Sequence, residues 1–206
     1  MDSDVAGDDR EQRHKKRMKK QKALVDARIA AAQRQRGIVV LHTGNGKGKS
    51  TAAFGIVARA LGHDMRVAVI QFIKGSIESG EERFYARFPD EIRFHVMGEG
   101  YTWDTQDRTR DVQTAERGWQ QALTYLRDPE FSIVVLDELN IALKMGYLSV
   151  DRVLDDLRAR PSHQHVVITG RGALPALIEF ADTVTDHRLV KHAFDAGIEA
   201  QPGIEL

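Results

Sequence analysis

The sequence feature that most constrains the fold is the glycine- and lysine-rich run HTGNGKGKS, which lies between two apolar segments. The segment before it, residues 38–42, is a short β-branched run typical of a buried parallel strand. The segment after it, residues 50–61, is helix-forming and closes on Gly62. Glycines let the backbone turn its N–H groups toward phosphate oxygens, and the following helix points its positive N-terminus at them. The run therefore predicts a phosphate-binding P-loop between a strand and a helix.

The residues of this loop are the candidate nucleotide-binding residues. Lys49 is expected to neutralise phosphate charge, and the Ser50 hydroxyl is expected to hold a metal ion. The usual pattern opens with glycine, whereas Thr43 stands there in this chain, so Gly44 and Gly46 are expected to supply the flexibility. The full candidate set is Thr43, Gly44, Asn45, Gly46, Lys47, Gly48, Lys49, Ser50 and Thr51. Lys47 is either a second cation for the phosphates or a solvated loop lysine.

A pair of carboxylates, Asp137 and Glu138, follows the apolar run at residues 133–136. In P-loop proteins a carboxylate at the end of such a strand faces the metal. Asp137 is expected to orient the metal ion or its water. Glu138 is expected to be a direct metal ligand or, in a hydrolase, the base that activates water. The alternative is a pair of solvated carboxylates that cap the next helix. The candidate catalytic residues are thus Lys49, Asp137 and Glu138, and the candidate ligands of Mg²⁺ or Mn²⁺ are Ser50, Asp137 and Glu138.

The rest of the chain alternates between strand and helix patterns. Further strands are predicted at residues 66–72, 92–96, 165–169 and 183–190, and helices at 81–88, 106–127, 149–159 and 173–181. Residues 97–105 are expected to form an ordered loop. This alternation predicts an α/β fold of the P-loop NTPase type, RecA-like, with a parallel sheet and helices on both faces.

The charge is unevenly distributed along the chain. Residues 1–36 carry eleven Lys/Arg against six Asp/Glu, so their net charge is +5, and because the 206 residues sum to zero, residues 37–206 carry −5. We predict two domains, a basic arm at 1–36 and a P-loop domain at 37–206. The arm is predicted to be disordered over its first dozen residues and helical from Lys20 to Gln35, with Gly37 as C-cap. The charge of such an arm suits nucleic acid, a membrane, a polyphosphate ligand or the P-loop domain of the same chain as its binding partner. The alternative is a solvated tail with no partner.

Composition excludes several classes of protein. The chain has no cysteine, which excludes disulfides, Cys-ligated zinc, iron–sulfur clusters and thiol nucleophiles. It has neither an apolar run of roughly 20 residues nor an apolar leader, so we expect a cytoplasmic protein. A GTPase is excluded because the guanine-reading segment [NT]-K-x-D is missing. Kinase, ATPase motor and nucleotidyl- or alkyl-transferase stay open at this point.

Six segments together resemble one known family, the P-loop class of cob(I)alamin (corrinoid) adenosyltransferases. They are HTGNGKGKS, VIQFIKG, GYTWDTQD, VVLDELN, ITGRG and VKHAFDAGIEAQPGIE. The resemblance runs from about Arg13 to the C-terminus, and Thr43 at the start of the loop is itself a family feature. It implies transfer of the 5′-deoxyadenosyl group of ATP to Co(I) of a corrinoid, with release of triphosphate, in adenosylcobalamin biosynthesis or salvage. It also implies that ATP lies in the P-loop in the reverse of the kinase orientation.

The resemblance extends to further residues and partners. Tyr101 and Trp103 are expected to contact the corrinoid, unless Trp103 is a core residue. Arg171 is expected to reach the triphosphate or ribose, unless it forms a structural salt bridge, and residues 191–197 are expected near the nucleotide. The family also implies a homodimer whose N-terminal helix covers the active site, and a reducing protein such as a flavodoxin. No membrane or nucleic-acid partner is expected.

Two alternatives from other classes remain beside this reading. One is a P-loop ATPase whose basic arm binds nucleic acid, with hydrolysis stimulated by DNA or RNA. The other is a non-catalytic nucleotide-sensing module, against which the intact Lys49, Ser50, Asp137 and Glu138 count. Release of triphosphate rather than ADP and phosphate distinguishes the transferase from both.

Overall fold

The structure is a computed structural model that describes residues 2–73, 79–98 and 107–205, with the backbone alone for residues 2–9. The chain divides into two compact units, Met1–Gln35 and Arg36–Leu206. None of the helices in these described residues is long and apolar enough to cross a membrane.

The first unit is a single helix, α1, over Asp2–Ala31. The predicted helix at Lys20–Gln35 is therefore misplaced at both ends, because α1 begins within the dozen residues expected to be disordered and ends four residues earlier than predicted. Ion pairs one turn apart, Lys15 with Glu11 and Lys22 with Asp26, each at 2.7 Å, favour the longer helix. The apolar side chains Leu24, Val25 and Ile29 are exposed within this unit.

The predicted role of Gly37 as the C-cap of this helix is wrong. Gly37 belongs to the second unit, where its N–H donates to the carbonyl of Ser162 at 2.7 Å. A Cβ atom on Gly37 would lie 2.0 Å from the carbonyl oxygen of Gln164. Glycine is needed here because two backbone segments touch. The sequence analysis instead interpreted this glycine as the end of a helix.

The second unit alternates strands and helices as predicted. Its strands are β1 (Val39–Thr43), β2 (Val67–Gln71), β3 (Ile92–Val96), β4 (Ile133–Asp137), β5 (His165–Thr169) and β6 (Thr183–Asp186). Its helices are α2 (Lys49–Leu61), α3 (Gly80–Tyr85), α4 (Arg108–Leu126), α5 (Leu139–Lys144), α6 (Val150–Arg158) and α7 (Pro175–Phe180), and a 3-10 turn follows at Phe194–Ala196. Helix α5 was not predicted, and β6 is shorter than predicted.

All the described strands pair in parallel, in the order β3-β2-β4-β5-β1-β6. Strand β5 therefore separates β1, which leads into the P-loop, from β4, which ends in Asp137. Because the strands are parallel, the loops that follow β1, β4 and β5 all emerge at the same edge of the sheet. The α/β, P-loop NTPase-type fold predicted from the sequence is confirmed.

Apolar cores lie on both faces of the sheet, because successive strand side chains point to opposite faces. In β2, Val67 and Val69 pack with α2 and α3, whereas Ala68 and Ile70 pack with α4 and the helices that follow it. Trp119 of α4 is fully buried in the second of these cores, and its indole N–H donates to Asp156 at 3.0 Å. Packing on both faces holds the strands of the sheet in place, and with them the edge at which the loops meet.

We expect Gly37→Ala to destabilise the protein by about 1–3 kcal/mol, since the new methyl group has to displace the backbone at Gln164. Gly55, inside α2, is the matched control because a Cβ there has no atom within 4 Å. Gly55→Ala should stabilise by about 0.5–1 kcal/mol through helix propensity. Thermal unfolding measures both variants, and equal effects of the two substitutions would contradict this account of Gly37.

Candidate active site

The P-loop is held by the segment that follows β6. The N–H of His187 donates to the carbonyl of Thr43 at 2.8 Å, and the N–H of Gly46 donates to the carbonyl of His187 at 2.6 Å. A Cβ at Gly44 would lie 2.2 Å from the Asp186 carboxylate, and one at Gly46 would lie 2.7 Å from the Arg188 carbonyl. Both glycines are therefore needed for this contact, and Gly44 is needed also for its backbone conformation, with φ +93°.

The threonine that replaces the usual first glycine of the loop has a structural role. The hydroxyl oxygen of Thr43 accepts a hydrogen bond from the N–H of Ala173 at 3.1 Å. This bond joins the end of β1 to the loop after β5, which contains Arg171. A glycine at position 43 would leave the two loops without this link.

Lys49 is the first residue of α2 and is buried, with 6% of its surface exposed. Its ammonium group donates to the carbonyl of Gly46 at 2.7 Å. Burial lowers the pKa of Lys49, the carboxylates of Glu138 and Asp137 oppose this shift, and Arg171 adds to it. Lys49, Arg171 and both predicted carboxylates therefore share one electrostatic environment.

The carboxylate of Asp137 is held on both oxygens by neighbouring strands. Thr169 at the end of β5 donates its hydroxyl proton to one oxygen at 2.6 Å, and the Gln71 amide at the end of β2 donates to the other at 2.8 Å. All three residues are buried. The sequence analysis missed Gln71 and Thr169, although a polar residue ending an otherwise apolar strand is a signal that finds both.

Glu138 directly follows β4 in a left-handed backbone conformation, with φ 62°. Its N–H donates to the Thr169 hydroxyl oxygen at 2.9 Å, while its Oε2 is buried with no hydrogen-bond partner. Burial, with the nearby Asp137 charge, raises the pKa of Glu138 to about 7, although Lys49 and Arg171 act in the opposite direction. A strained backbone and a buried carboxylate oxygen that lacks a partner together mark a functional position.

Asn140 is a further residue that the sequence analysis missed. It is fully buried on α5, and its amide donates to the carbonyl of Gly170 at 2.8 Å and, at 3.4 Å, to that of His42. Asn140 thus joins the ends of β1 and β5 beside the P-loop. The segment VVLDELN contained this residue, but only its two carboxylates were interpreted as functional.

A cavity of about 480 Å³ opens beside these groups. Its walls are residues 47–51 of the P-loop and α2, Glu138, α3, and residues 203–205. The structure thus brings Lys47, Gly48, Lys49, Ser50 and Thr51 together with Glu138, while Asn45 and Arg171 are exposed nearby. The predicted corrinoid-binding residues Tyr101 and Trp103 lie outside the described residues.

The oxygen atoms around Glu138 suit the coordination of a hard cation such as Mg²⁺. The Ser50 hydroxyl and the partnerless Glu138 oxygen line the same cavity, and oxygen is the ligand that Mg²⁺ prefers. In the described residues no three His, Cys, Asp or Glu side chains group as a metal site. Mg²⁺ takes one or two protein ligands and completes its shell with phosphate and water, so the oxygens of Ser50 and Glu138 suffice.

Comparison with known proteins identifies the family. A family model described as ATP:corrinoid adenosyltransferase BtuR/CobO/CobP matches residues 35–206, and one described as the N-terminal part of cob(I)alamin adenosyltransferase matches residues 1–29. The chain belongs to the ATP:corrinoid adenosyltransferase family. The resemblance read from the sequence motifs is thereby confirmed.

Several members of this family are similar to the chain over almost its whole length. A corrinoid adenosyltransferase of Pseudomonas aeruginosa is 61% identical over 198 residues, which are 96% of this chain and 98% of that protein. Corrinoid adenosyltransferase CobA of Salmonella typhimurium is 48% identical, over 95% of this chain and 98% of that protein. A corrinoid adenosyltransferase of Sinorhizobium sp is 46% identical, over 94% of this chain and 92% of that protein.

In this family member, two histidines meet beneath the P-loop. Nδ1 of His42 lies 3.1 Å from Nε2 of His187, and His42 is 7% exposed. Burial lowers the pKa of His42, and the nearby His187 contributes to the same shift. A hydrogen bond between two imidazoles requires one of them to be neutral, so protonation of both breaks the contact.

We expect this pair to make stability depend on pH. Because the pKa of His42 is lowered by folding, the unfolded chain binds a proton at His42 near pH 6.5 while the folded chain does not. The contribution of His42 to stability should therefore fall as the pH decreases from about 7.5 to 5.5. His42→Phe should reduce this loss, whereas His63→Gln, at an exposed histidine, should leave it unchanged. Urea unfolding at a series of pH values measures the difference, and identical pH slopes for His42→Phe and the wild type would contradict the prediction.

Proposed function

We propose that this chain transfers the 5′-deoxyadenosyl group of ATP to Co(I) of a corrinoid substrate and releases triphosphate. Family membership over almost the whole chain is the observation that most supports this proposal. The arrangement of Lys49, Glu138 and Arg171 at one sheet edge supports it as well, because the two cations attract a triphosphate and the carboxylate offers a ligand for its metal ion. The corrinoid and its place in adenosylcobalamin biosynthesis or salvage belong to the same proposal.

The reaction makes one bond and breaks one. The electron pair of Co(I) forms a bond to C5′ of the ribose, and the C5′–O bond breaks with its electron pair leaving on triphosphate. Negative charge therefore grows on the triphosphate, where the buried ammonium group of Lys49 and the guanidinium of Arg171 stabilise it. The nucleophile carries no proton, so the reaction needs no general base, and Glu138 is free to serve as a ligand.

Mg²⁺ or Mn²⁺ fits beside these residues. We propose that Ser50 and Glu138 hold the ion, and that Asp137 orients its water, because both Asp137 oxygens already accept hydrogen bonds. When bound, the ion neutralises charge on the leaving triphosphate. The pKa of Glu138, about 7, shows that burial opposes its charge, and a bound cation favours the ionised form.

The residues that bind the corrinoid are predicted from the sequence. We propose that Tyr101 and Trp103 contact the corrin, since aromatic side chains provide flat apolar surface for a large ring system. A reducing protein such as a flavodoxin is proposed to supply the electron that converts Co(II) to Co(I). A cytoplasmic location accompanies this proposal.

We also propose that the basic arm covers the active site. In a homodimer, the arm of one subunit would cover the active site of the partner subunit. A helix with a net positive charge suits a polyphosphate, and its exposed apolar residues Leu24 and Ile29 suit an apolar ligand surface. Coverage of this kind excludes water and oxygen from Co(I).

The experiment for the central proposal is an anaerobic assay with chemically reduced cob(I)alamin and MgATP. We expect a light-sensitive alkylcobalamin and one triphosphate per transfer. Lys49→Met should lower kcat/KM by about 100-fold or more, as loss of one charge-stabilising donor does in other enzymes. Lys144→Met, at an exposed lysine outside the cavity lining, is the control and should stay close to the wild type.

The products decide between the transferase and the ATPase. ADP and phosphate with unchanged Co(I) would contradict the transferase and favour a P-loop ATPase. Activity of Lys49→Met equal to that of the control would contradict the place given to Lys49.

For the arm, we expect deletion of residues 1–36 to raise the KM for the corrinoid at least about tenfold, while the Kd for ATP changes less. The double substitution of Leu24 and Ile29 to Ser should act in the same direction, since it removes apolar surface alone. Replacement of Lys15 and Glu11, an exposed ion pair on the same helix, by Gln is the control. Equal loss of corrinoid and ATP binding, or loss of neither, would contradict the proposal.

A further inference from the structure

A carboxylate from the last turn of the chain contacts the P-loop. The ammonium group of Lys47 donates to Oε2 of Glu205 at 2.7 Å. The Lys47 side chain is 45% exposed and that of Glu205 is 23% exposed, so water reaches the pair but does not surround it. The lysine that sequence analysis left as either a phosphate-binding cation or a solvated residue is thus ion-paired.

The backbone around Glu205 is shaped to place it there. The N–H groups of Ile204 and Glu205 donate to the carbonyl of Gln201 at 3.1 and 2.9 Å, which closes a turn over residues 201–205. Gly203 adopts φ +81° within this turn, a conformation that favours glycine. The turn is therefore a defined structure that carries a negative charge to the P-loop.

The ion pair lies on the wall of the proposed nucleotide site. Glu205 and Lys47 line the same cavity as Lys49 and Ser50. An anion that binds Lys47 in this cavity competes with the Glu205 carboxylate, because the two negative groups repel each other at short range. Both the substrate ATP and the product triphosphate are such anions.

We propose that Glu205 is an internal competitor for the phosphate site, a carboxylate that yields Lys47 to the triphosphate and takes it back when the triphosphate leaves. The contact weakens the binding of ATP and of triphosphate, and it accelerates release of the highly charged product. The identity of these anions rests on the proposed function, but competition for Lys47 is testable by binding alone.

The expected effect is modest because the pair is partly exposed. Partly solvated ion pairs contribute little, so removing the competitor should tighten the binding of tripolyphosphate and MgATP by about two- to fivefold. The effect should decrease as the salt concentration rises, since salt screens exposed charges.

The experiment is a calorimetric titration of the full chain with tripolyphosphate and with MgATP. Glu205→Gln removes the charge but keeps the shape of the side chain, and thermal unfolding of each variant confirms that it folds. Glu81→Gln is the matched control. Glu81 lines the same cavity, so its charge repels a bound anion, but the contact with Lys47 is made by Glu205. Both variants are also made in a Lys47→Met background.

We expect Glu205→Gln to tighten both ligands and to lose this effect in the Lys47→Met background, whereas any effect of Glu81→Gln should persist there. Unchanged or weaker binding by Glu205→Gln, or tightening that survives Lys47→Met, would overturn the proposal. The adenosyl-transfer assay on the wild type is independent of these titrations. An active wild type with unchanged Glu205→Gln binding would overturn the competitor while the transferase stands.

Discussion

The hydroxyl group of Thr169 holds both carboxylate residues of the site, Asp137 and Glu138, in place. It donates to the Asp137 carboxylate at 2.6 Å and accepts from the N–H of Glu138 at 2.9 Å. Because β5 lies between β1 and β4, its last residue Thr169 pairs with His42 of β1 on one side and reaches the two carboxylate residues on the other. The strained backbone of Glu138 persists because neighbouring groups fix it, and Thr169 is one of them.

The segment after β6 acts on the P-loop in two ways. Near its start, the backbone of His187 pairs with Thr43 and Gly46 and shapes the loop. Near its end, Glu205 pairs with Lys47 and places a carboxylate beside the proposed phosphate site. The same stretch of chain thus supports the loop and, by our inference, competes with its ligand.

The sequence was informative wherever a short pattern determines local structure. The P-loop, the two-sided sheet and the position of Asp137 follow from periodicity and strand ends. Gly37 was misassigned because its role depends on contacts with Ser162 and Gln164, far away in sequence, which local patterns do not record. Gln71 and Thr169 end otherwise apolar strands, which is a local signal, but their common partner Asp137 follows only from the order of the strands in the sheet.

The Lys47 ion pair shows the same limit more strongly. A lysine in a phosphate-binding loop and a glutamate 158 positions later carry no joint signal in a single sequence. Only the course of the chain after β6 brings them together. The family motifs identified the activity, and the geometry adds which groups hold, position or oppose the proposed ligand.

The most direct test of the account uses ATP labelled with ¹³C at C5′. The enzyme reacts anaerobically with this ATP and cob(I)alamin, and ¹³C NMR follows the labelled carbon. We expect a labelled carbon bonded to cobalt, formed in equal amount to triphosphate. Label that stays in ADP or AMP, with no cobalt–carbon signal, would contradict it.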